Sequence, residues 1–241
     1  MARELSRRRA LAAGGSILAF GGTVAYVATR SGSTGRYVPS EAHTSEATTG
    51  FGVSLDGRPI AGSSDAPVDI YYWTDFLCPF CAKFEAETLP TIGTEYVDTG
   101  TARLVGLSYP NIGAYSDPAA VWSRCVWAQV AASEPTAYWR WHGAAFDEQS
   151  SGTEWADEET FADVTARTEG VPLAAVEDCR QSRTDALQAS IDADVAAAQQ
   201  SGIQGTPGFV IYNREADAAG TLVGAHPAEN VADAIERVLA A

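Results

Sequence analysis

Val68-Asp-Ile-Tyr-Tyr-Trp73, followed by Thr-Asp-Phe-Leu and then Cys78-Pro79-Phe80-Cys81, is the stretch on which the fold turns. The run from Val68 to Trp73 is β-prone and of a length suited to one strand, and it leads directly into two cysteines separated by two residues. Beyond them Phe80, Phe84, Ile92 and Tyr96 recur at multiples of four, which puts them on one apolar helix face, with Pro90 predicting a kink or break. Arg103 to Tyr109 reads as a second strand. The order is strand, helix, strand.

Working outward, Asp117 to about Gln200 is rich in Ala, Glu, Asp and Gln without strand-like alternation, and reads as several helices. Turn or breaker residues divide it at Ser133 to Pro135, Ser150 to Thr153 and Gly170 to Pro172. Strands return at Gly208 to Tyr212 and Thr221 to Gly224, and Ala228 to Leu239 is a closing amphipathic helix. A βαβ unit followed by a ββα unit builds a small sheet with helices on its faces, which leaves the helical block of about eighty residues as an insertion.

On the other side of the opening stretch, Arg3, Arg7, Arg8 and Arg9 precede the uncharged run Ala10 to Thr29, the layout of an export signal or membrane anchor. Ser6-Arg7-Arg8-Arg9-Ala10-Leu11 resembles the twin-arginine export motif, although Ala10 stands where that motif usually has an aromatic. Residues 1–30 are therefore expected to be a signal or an anchor, the membrane contact running through residues 10–29 if the segment is kept. Residues 31–50, rich in Ser, Thr, Gly and Glu, read as a flexible linker.

Together, Cys78-Pro79-Phe80-Cys81 at a strand-to-helix junction, the inserted helices and Gly205-Thr206-Pro207 just before the returning strand resemble the DsbA-like family of extracytoplasmic thiol-disulfide oxidoreductases. The resemblance covers roughly residues 51 to 240. It implies an α/β thioredoxin fold over 51–116 and 201–241, carrying an inserted all-helical domain over 117–200.

Disulfide exchange needs a thiolate that attacks and a second thiol near enough to release the mixed disulfide. At a helix N-terminus Cys78 faces unpaired backbone N–H groups and the positive end of the helix dipole, which favour its thiolate. Pro79 suits the first helical position, where no N–H is required. Cys78 is accordingly assigned as the exposed nucleophile and Cys81, one turn on, as the resolving thiol, the two forming the active-site disulfide when oxidised. The resemblance implies that Pro207 is cis and packs against that disulfide, and that the backbone of Thr206 pairs with the incoming peptide. Many relatives carry an acidic residue six positions before the first cysteine, thought to move the resolving thiol's proton; Tyr72 stands there. Asp75 is common in relatives and is expected nearer the surface. Phe80 takes the place of the histidine of the strongest oxidants, which removes one source of thiolate stabilisation.

Cys125 and Cys179, both in the helical block, most simply pair in an exported protein, and relatives with cysteines at similar places use them as a structural bridge. A four-cysteine zinc site would need a second close pair, which these two are too far apart to supply. His43, His142 and His226 are too scattered for a metal cluster, and His142 reads as a satisfied histidine in the packed Trp139-Arg140-Trp141-His142 helix. Nothing marks a histidine partnered to Cys78, as a cysteine protease would need. The resemblance implies no cofactor.

The 241 residues carry 16 Lys+Arg against 31 Asp+Glu, a charge of −15. From Ser31 onward 11 bases face 30 acids, so the folded part stands at −19 and would repel a phosphate backbone, which excludes a nucleic-acid partner. Lys83 is the one lysine. Nothing in disulfide exchange calls for such acidity, which resembles that of proteins from extreme halophiles and is assigned to the solvent. The expected function is exchange of disulfides with cysteine-containing exported proteins, together with an unidentified redox partner that resets the active-site pair. Reductase or isomerase activity on the same scaffold is the alternative, and a redox-inert binding or chaperone domain a more distant one.

Overall fold

The computed structural model describes residues 35–48 and 52–241. The export segment expected over residues 1–30 lies outside them. In chain order the elements are β1 (Ala42–His43), β2 (Ile60–Ala61), β3 (Val68–Thr74), α1 (Pro79–Glu87), α2 (Leu89–Ile92), a π-helical turn at Gly93–Val97, and β4 (Ala102–Ser108). There follow α3 (Ser116–Val130), α4 (Thr136–Asp147), α5 (Glu158–Arg167), α6 (Leu173–Ser182), α7 (Thr184–Gln200), β5 (Gly208–Asn213), β6 (Ala218–Val223) and α8 (Ala228–Leu239).

The strands form one mixed sheet in the order β1-β2-β4-β3-β5-β6. β3 lies at its centre, parallel to β4 and antiparallel to β5, with Tyr72 opposite Gly106 and Phe209. Every residue of β3 is buried, because both faces of the sheet are covered. Val68, Ile70 and Tyr72 point to the side that packs Phe84 of α1 and Val231 and Ile235 of α8. Tyr71 and Trp73 point to the side closed by Ala198 of α7 and by Ile203. α8 buries Val231, Ala234, Ile235 and Val238, one stripe at helical spacing.

α1 stops at Glu87, ahead of Pro90, which cannot donate to a continuing helical ladder. The chain resumes through α2 and the π-turn, where Gly93 lets another segment approach: a Cβ there would sit 2.3 Å from the ring of Tyr37. That contact corrects the flexible linker expected over residues 31–50 for its described residues, 35–48. Within its described part, Tyr37 is buried and donates to Asp98 Oδ1 (2.9 Å), Ser40 donates to the same oxygen, and Arg36 bridges Asp147 (2.7 Å) and the carbonyl of Ala82 (3.0 Å). β1 then pairs with β2. Composition counted what the segment could bury by itself; a few anchors on a preformed surface hold it instead.

Most of the apolar side chains of the inserted helices α3 to α7 join the core beneath the sheet, and only a small cluster of Ala120, Val121 and Ile191 is their own. Trp122, Trp139, Trp141 and Phe161 belong to the same apolar cluster as Ile70 and Phe84, and Ser33–Ala241 is one unit. Cys125 of α3 is bonded to Cys179 of α6, 54 residues on, and closing a loop of that length stabilises by about 4 kcal/mol on the chain-entropy model. α7 is tied to the sheet through Asp194, which is 1% exposed yet accepts from Arg58 (2.7 Å), from Arg124 and from the backbone N–H of Ser108 (2.9 Å). Among the described residues no helix is long and apolar enough to cross a membrane.

Candidate active site

β3 ends at Thr74, and the four residues that follow turn the chain into α1. Asp75 makes that turn. Its backbone carbonyl accepts from Cys78 N–H (3.0 Å), and its carboxylate accepts from the N–H groups of Leu77 (2.9 Å), Asn111 (2.8 Å) and Ile112 (3.1 Å). Asp75 therefore does not lie near the surface as expected: it is 3% exposed, because it is the acceptor that joins the loop before the cysteines to the loop after β4. Phe76 packs on Trp141, His142, Phe146 and Phe161. Gln149 closes the other side, its amide donating to the carbonyls of Phe76 (2.5 Å) and Cys78 (3.0 Å).

Cys78 is the N-cap of α1, in extended conformation (φ −76°, ψ 117°), and Pro79 takes the first helical position. The expectation of an exposed nucleophile needs correcting. Cys78 is only 2% exposed, because the loop before β5 lies across it: Cys78 Sγ donates to the carbonyl of Thr206 at 3.2 Å. The Thr206–Pro207 bond is cis, and Pro207 is buried. Phe80, between the cysteines, is by contrast 60% exposed. The structure thus gathers Cys78, Cys81, Pro79, Phe80, Thr206 and Pro207 at one place, while the Cys125–Cys179 bond lies within the inserted helices.

The two thiols are unbonded and unlike. The Cys78 thiol is pulled down to about 6, first by a hydrogen bond from Cys81, then by hydrogen bonds from the Thr206 side chain and the backbone N–H groups of Cys81 and Phe80, which together outweigh burial. Burial pushes Cys81 well above the ordinary thiol value, and the neighbouring Cys78 adds to it. A thiolate stabilised in the fold stabilises the reduced protein once pH exceeds the folded value. That contribution grows from about 6 to the ordinary value of 9.0 and is lost as pH falls through about 6. Cys81 adds nothing in that window. Thiolate absorbance of the reduced protein is expected to titrate with a midpoint near 6, and the denaturation midpoint of the reduced form, relative to the oxidised one, to rise with pH across the same window. A midpoint at the ordinary value of 9.0 would contradict the arrangement.

A family model described as thioredoxin matches residues 54–226. The chain belongs to this thioredoxin family. Disulfide bond formation protein D of Bacillus subtilis is 26% identical over 162 residues, covering 67% of this chain and 70% of that protein. The crystal structure of oxidised BdbD from Bacillus subtilis superposes with a TM-score of 0.64 at 24% identity, covering 77% of this chain and 94% of that one. α-DsbA1 of Wolbachia pipientis superposes with a TM-score of 0.66 at 17% identity, covering 79% and 94%. The protein is a DsbA-like thiol-disulfide oxidoreductase of the thioredoxin superfamily, with the helical region inserted as in those folds.

Two groups near the cysteines escaped the sequence reading. Gln149 sits past the end of α4 and carried no signal. Glu85 did carry one: it lies four residues after Cys81, on the apolar face of α1, where an acidic residue is out of place, and it is 1% exposed.

Proposed function

We propose that this protein works outside the cytoplasm and exchanges disulfides with cysteine-containing exported proteins through Cys78 and Cys81. The observation that carries the reading is the pairing of a thiol at a helix N-cap, lowered to about 6, with a covered thiol held high one turn later. In the oxidising direction a client thiolate bonds to Cys78 Sγ and the Cys78–Cys81 bond breaks. A second client thiolate then attacks the client sulfur of the mixed disulfide and releases Cys78 as thiolate. The client leaves with a disulfide, and the two electrons stay as two reduced cysteines, to be removed by a redox partner. Stabilising the Cys78 thiolate stabilises the reduced form and favours this direction.

Client contact falls to the rim of the site. Phe80, Ile112 and Val223 are exposed apolar side chains. The N–H of Ile112 is held by Asp75, and Val223 pairs with Gly208, so both flank the Thr206–Pro207 loop. The cis Pro207 is read as the wall against which the disulfide packs, and the Thr206 backbone as the pairing edge for an extended client peptide. Export is supported by the arginine-led apolar segment and by the Cys125–Cys179 bond, since a structural disulfide persists in an oxidising compartment. Redox equilibration of the protein against glutathione, with each cysteine assigned by mass spectrometry, tests the reading. Cys78 and Cys81 should titrate as one two-electron couple more oxidising than thioredoxin's, about −270 mV, while Cys125 and Cys179 stay paired. A potential at or below thioredoxin's would make the protein a reductase, and a Cys78–Cys81 bond that never equilibrates would make it redox-inert.

The acidity is read as an adaptation to saline surroundings, because no step above uses it. At 1 M salt the Debye length is about 3 Å, so surface self-repulsion is screened. Dialysis into dilute buffer is expected to lower the melting temperature by roughly 5 °C, on the scale of 2 kcal/mol. A melting temperature unchanged by salt would remove the habitat reading and leave the redox one intact.

A further inference from the structure

Opening and closing the Cys78–Cys81 bond moves a proton as well as electrons, and the proton belongs to Cys81. When a thiolate bonds to Cys78 Sγ, the departing electron pair lands on Cys81 Sγ, which must then be protonated. In reverse, Cys81 must lose its proton before it attacks. Cys81 has no exposed surface, and burial holds its thiol high, so a bare thiolate there is costly in both directions.

The groups that face it follow from two matched spacings. Tyr72 and Thr74 lie two apart on one face of β3, about 6.6 Å along the strand. Cys81 and Glu85 lie one turn apart on α1, about 6 Å along the helix. The two pairs therefore stand rung against rung. The Thr74 hydroxyl lies beside Cys81 Sγ, and the Tyr72 hydroxyl lies between Thr74 and Glu85. Both hydroxyls are buried without a well-formed hydrogen bond, so both are free to turn toward either neighbour. Glu85 Oε1 meets His142 Nε2 of α4 at 3.0 Å, with both residues buried. His142 Nδ1 in turn faces the Tyr138 hydroxyl (3.4 Å), which meets Ser123 Oγ (2.9 Å).

We propose that Thr74, Tyr72 and the Glu85–His142 pair form a buried proton relay for Cys81. In this relay Glu85 carries a carboxyl proton, and neutral His142 donates its Nε2 proton to Oε1. As the disulfide opens, Cys81 Sγ takes a proton from the Thr74 hydroxyl, Thr74 takes one from Tyr72, and Tyr72 takes the Glu85 carboxyl proton. The negative charge moves from sulfur to the Glu85 carboxylate, which keeps a hydrogen bond from neutral His142. Closing the disulfide runs the same transfers backward, so proton and charge balance in each direction. The neighbouring ionisable groups are few. Cys78 lies on α1, Arg124 of α3 and Asp194 of α7 reach the cluster through Tyr138, and the Asp75 carboxylate is occupied by three backbone N–H groups. Thr74 touches the reacting sulfur; Tyr72, Glu85 and His142 act through it as positioning residues. The proposal rests on the reading that Cys78 and Cys81 exchange disulfides.

The test is the rate at which glutathione opens the Cys78–Cys81 disulfide, measured against pH in the full chain for wild type, Tyr72→Phe and Glu85→Gln. Tyr72→Phe removes only the hydroxyl, leaving a ring that still packs on Phe84 and Phe209. It is expected to slow opening by roughly 100-fold, at the lower end of what a positioned proton donor contributes, and to flatten the pH dependence. The thiolate titration of Cys78 should stay where it is. Glu85→Gln should lose rate in the same way and Glu85→Asp should regain part of it; if the glutamine variant does not fold, Tyr72→Phe decides alone. A Tyr72→Phe rate and pH profile equal to wild type would overturn the relay, as would a loss uniform across pH with a displaced Cys78 titration, which marks a structural effect. An inert wild-type disulfide would overturn the exchange reading and the relay with it; an active wild type with an indifferent Tyr72→Phe overturns the relay alone.

Discussion

Cys81→Ser is expected to halt exchange at the mixed disulfide, leaving the variant covalently joined to client proteins, while Cys78→Ser removes exchange altogether, a fall of roughly 10³ or more to background. The asymmetry follows from position. Cys78 caps α1 with its thiol lowered to about 6, so close to neutral pH most of it is thiolate; Cys81 is covered and held high, so it cannot start an attack on a client. Once Cys78 has bonded to a client, Cys81 is the one protein thiol close enough to release it, and a serine hydroxyl cannot form the new S–S bond. Isolation of Cys81→Ser under non-reducing conditions should therefore show adducts that a reductant removes, and Cys78→Ser should show none. Adducts formed equally well by Cys78→Ser would place the nucleophile elsewhere, and an adduct-free Cys81→Ser would take away the exchange reading itself.

How much of this was legible beforehand depends on how local each signal is. The Val68 to Trp73 run, the helix after Cys78 with its break near Pro90 and the stripe of α8 announce themselves within a few residues; the structure places the strand and α8 within a residue of the expected limits, but turns Phe80 away from the apolar face expected of it. The sheet order does not, because β1 and β2 are two residues each and exist only through their partners. The break between α6 and α7 falls at Arg183 with neither Gly nor Pro to mark it. The cysteines themselves were plain from spacing, since the chemistry demands two thiols one turn apart. The covering of Cys78 was not, because Thr206 is 128 residues away, and nothing local predicts which loop folds across it. Glu85 sits between these cases. Its place on an apolar helix face was visible, but its meaning needed His142 from α4 and Tyr72 from β3. Tyr72 looked like the loss of an acidic group from the site; the fold returns a carboxylate to the same neighbourhood from the helix instead of the strand.

Asp194 shows the same limit from the side of stability, and its replacement is expected to be the most damaging single change outside the site. One carboxylate, 1% exposed, faces two guanidinium groups: Arg58 (Nε 3.0 Å and Nη2 2.7 Å) and Arg124, both less than 10% exposed. Burial pulls the Arg124 guanidinium below its usual value, Arg58 pulls it the same way, and Asp194 is the main group that opposes them, with Tyr138 a smaller one. Asp194→Asn keeps the shape and removes the charge, leaving two cations to repel each other where water cannot reach. Breaking a buried pair in this way costs about 3–5 kcal/mol, which for a domain of this size lowers the melting temperature by roughly 6–20 °C. The loss should reach the active site too. Asp194 Oδ2 holds the N–H of Ser108, the end of β4, and the loop that follows carries Asn111 and Ile112, two of the three N–H groups that fix Asp75. Asp194→Asn at a temperature where it stays folded is therefore expected to exchange disulfides more slowly. The control is to remove the charges together: Arg58→Met, Arg124→Met and Asp194→Leu in one chain should recover a large part of the lost stability, because an apolar replacement of a whole buried cluster costs little. A single Asp194→Asn that melts with wild type would show that the two arginines find other partners, and that α7 is held to the sheet by the Trp73 indole on the Asp194 carbonyl (2.9 Å) and by apolar packing alone.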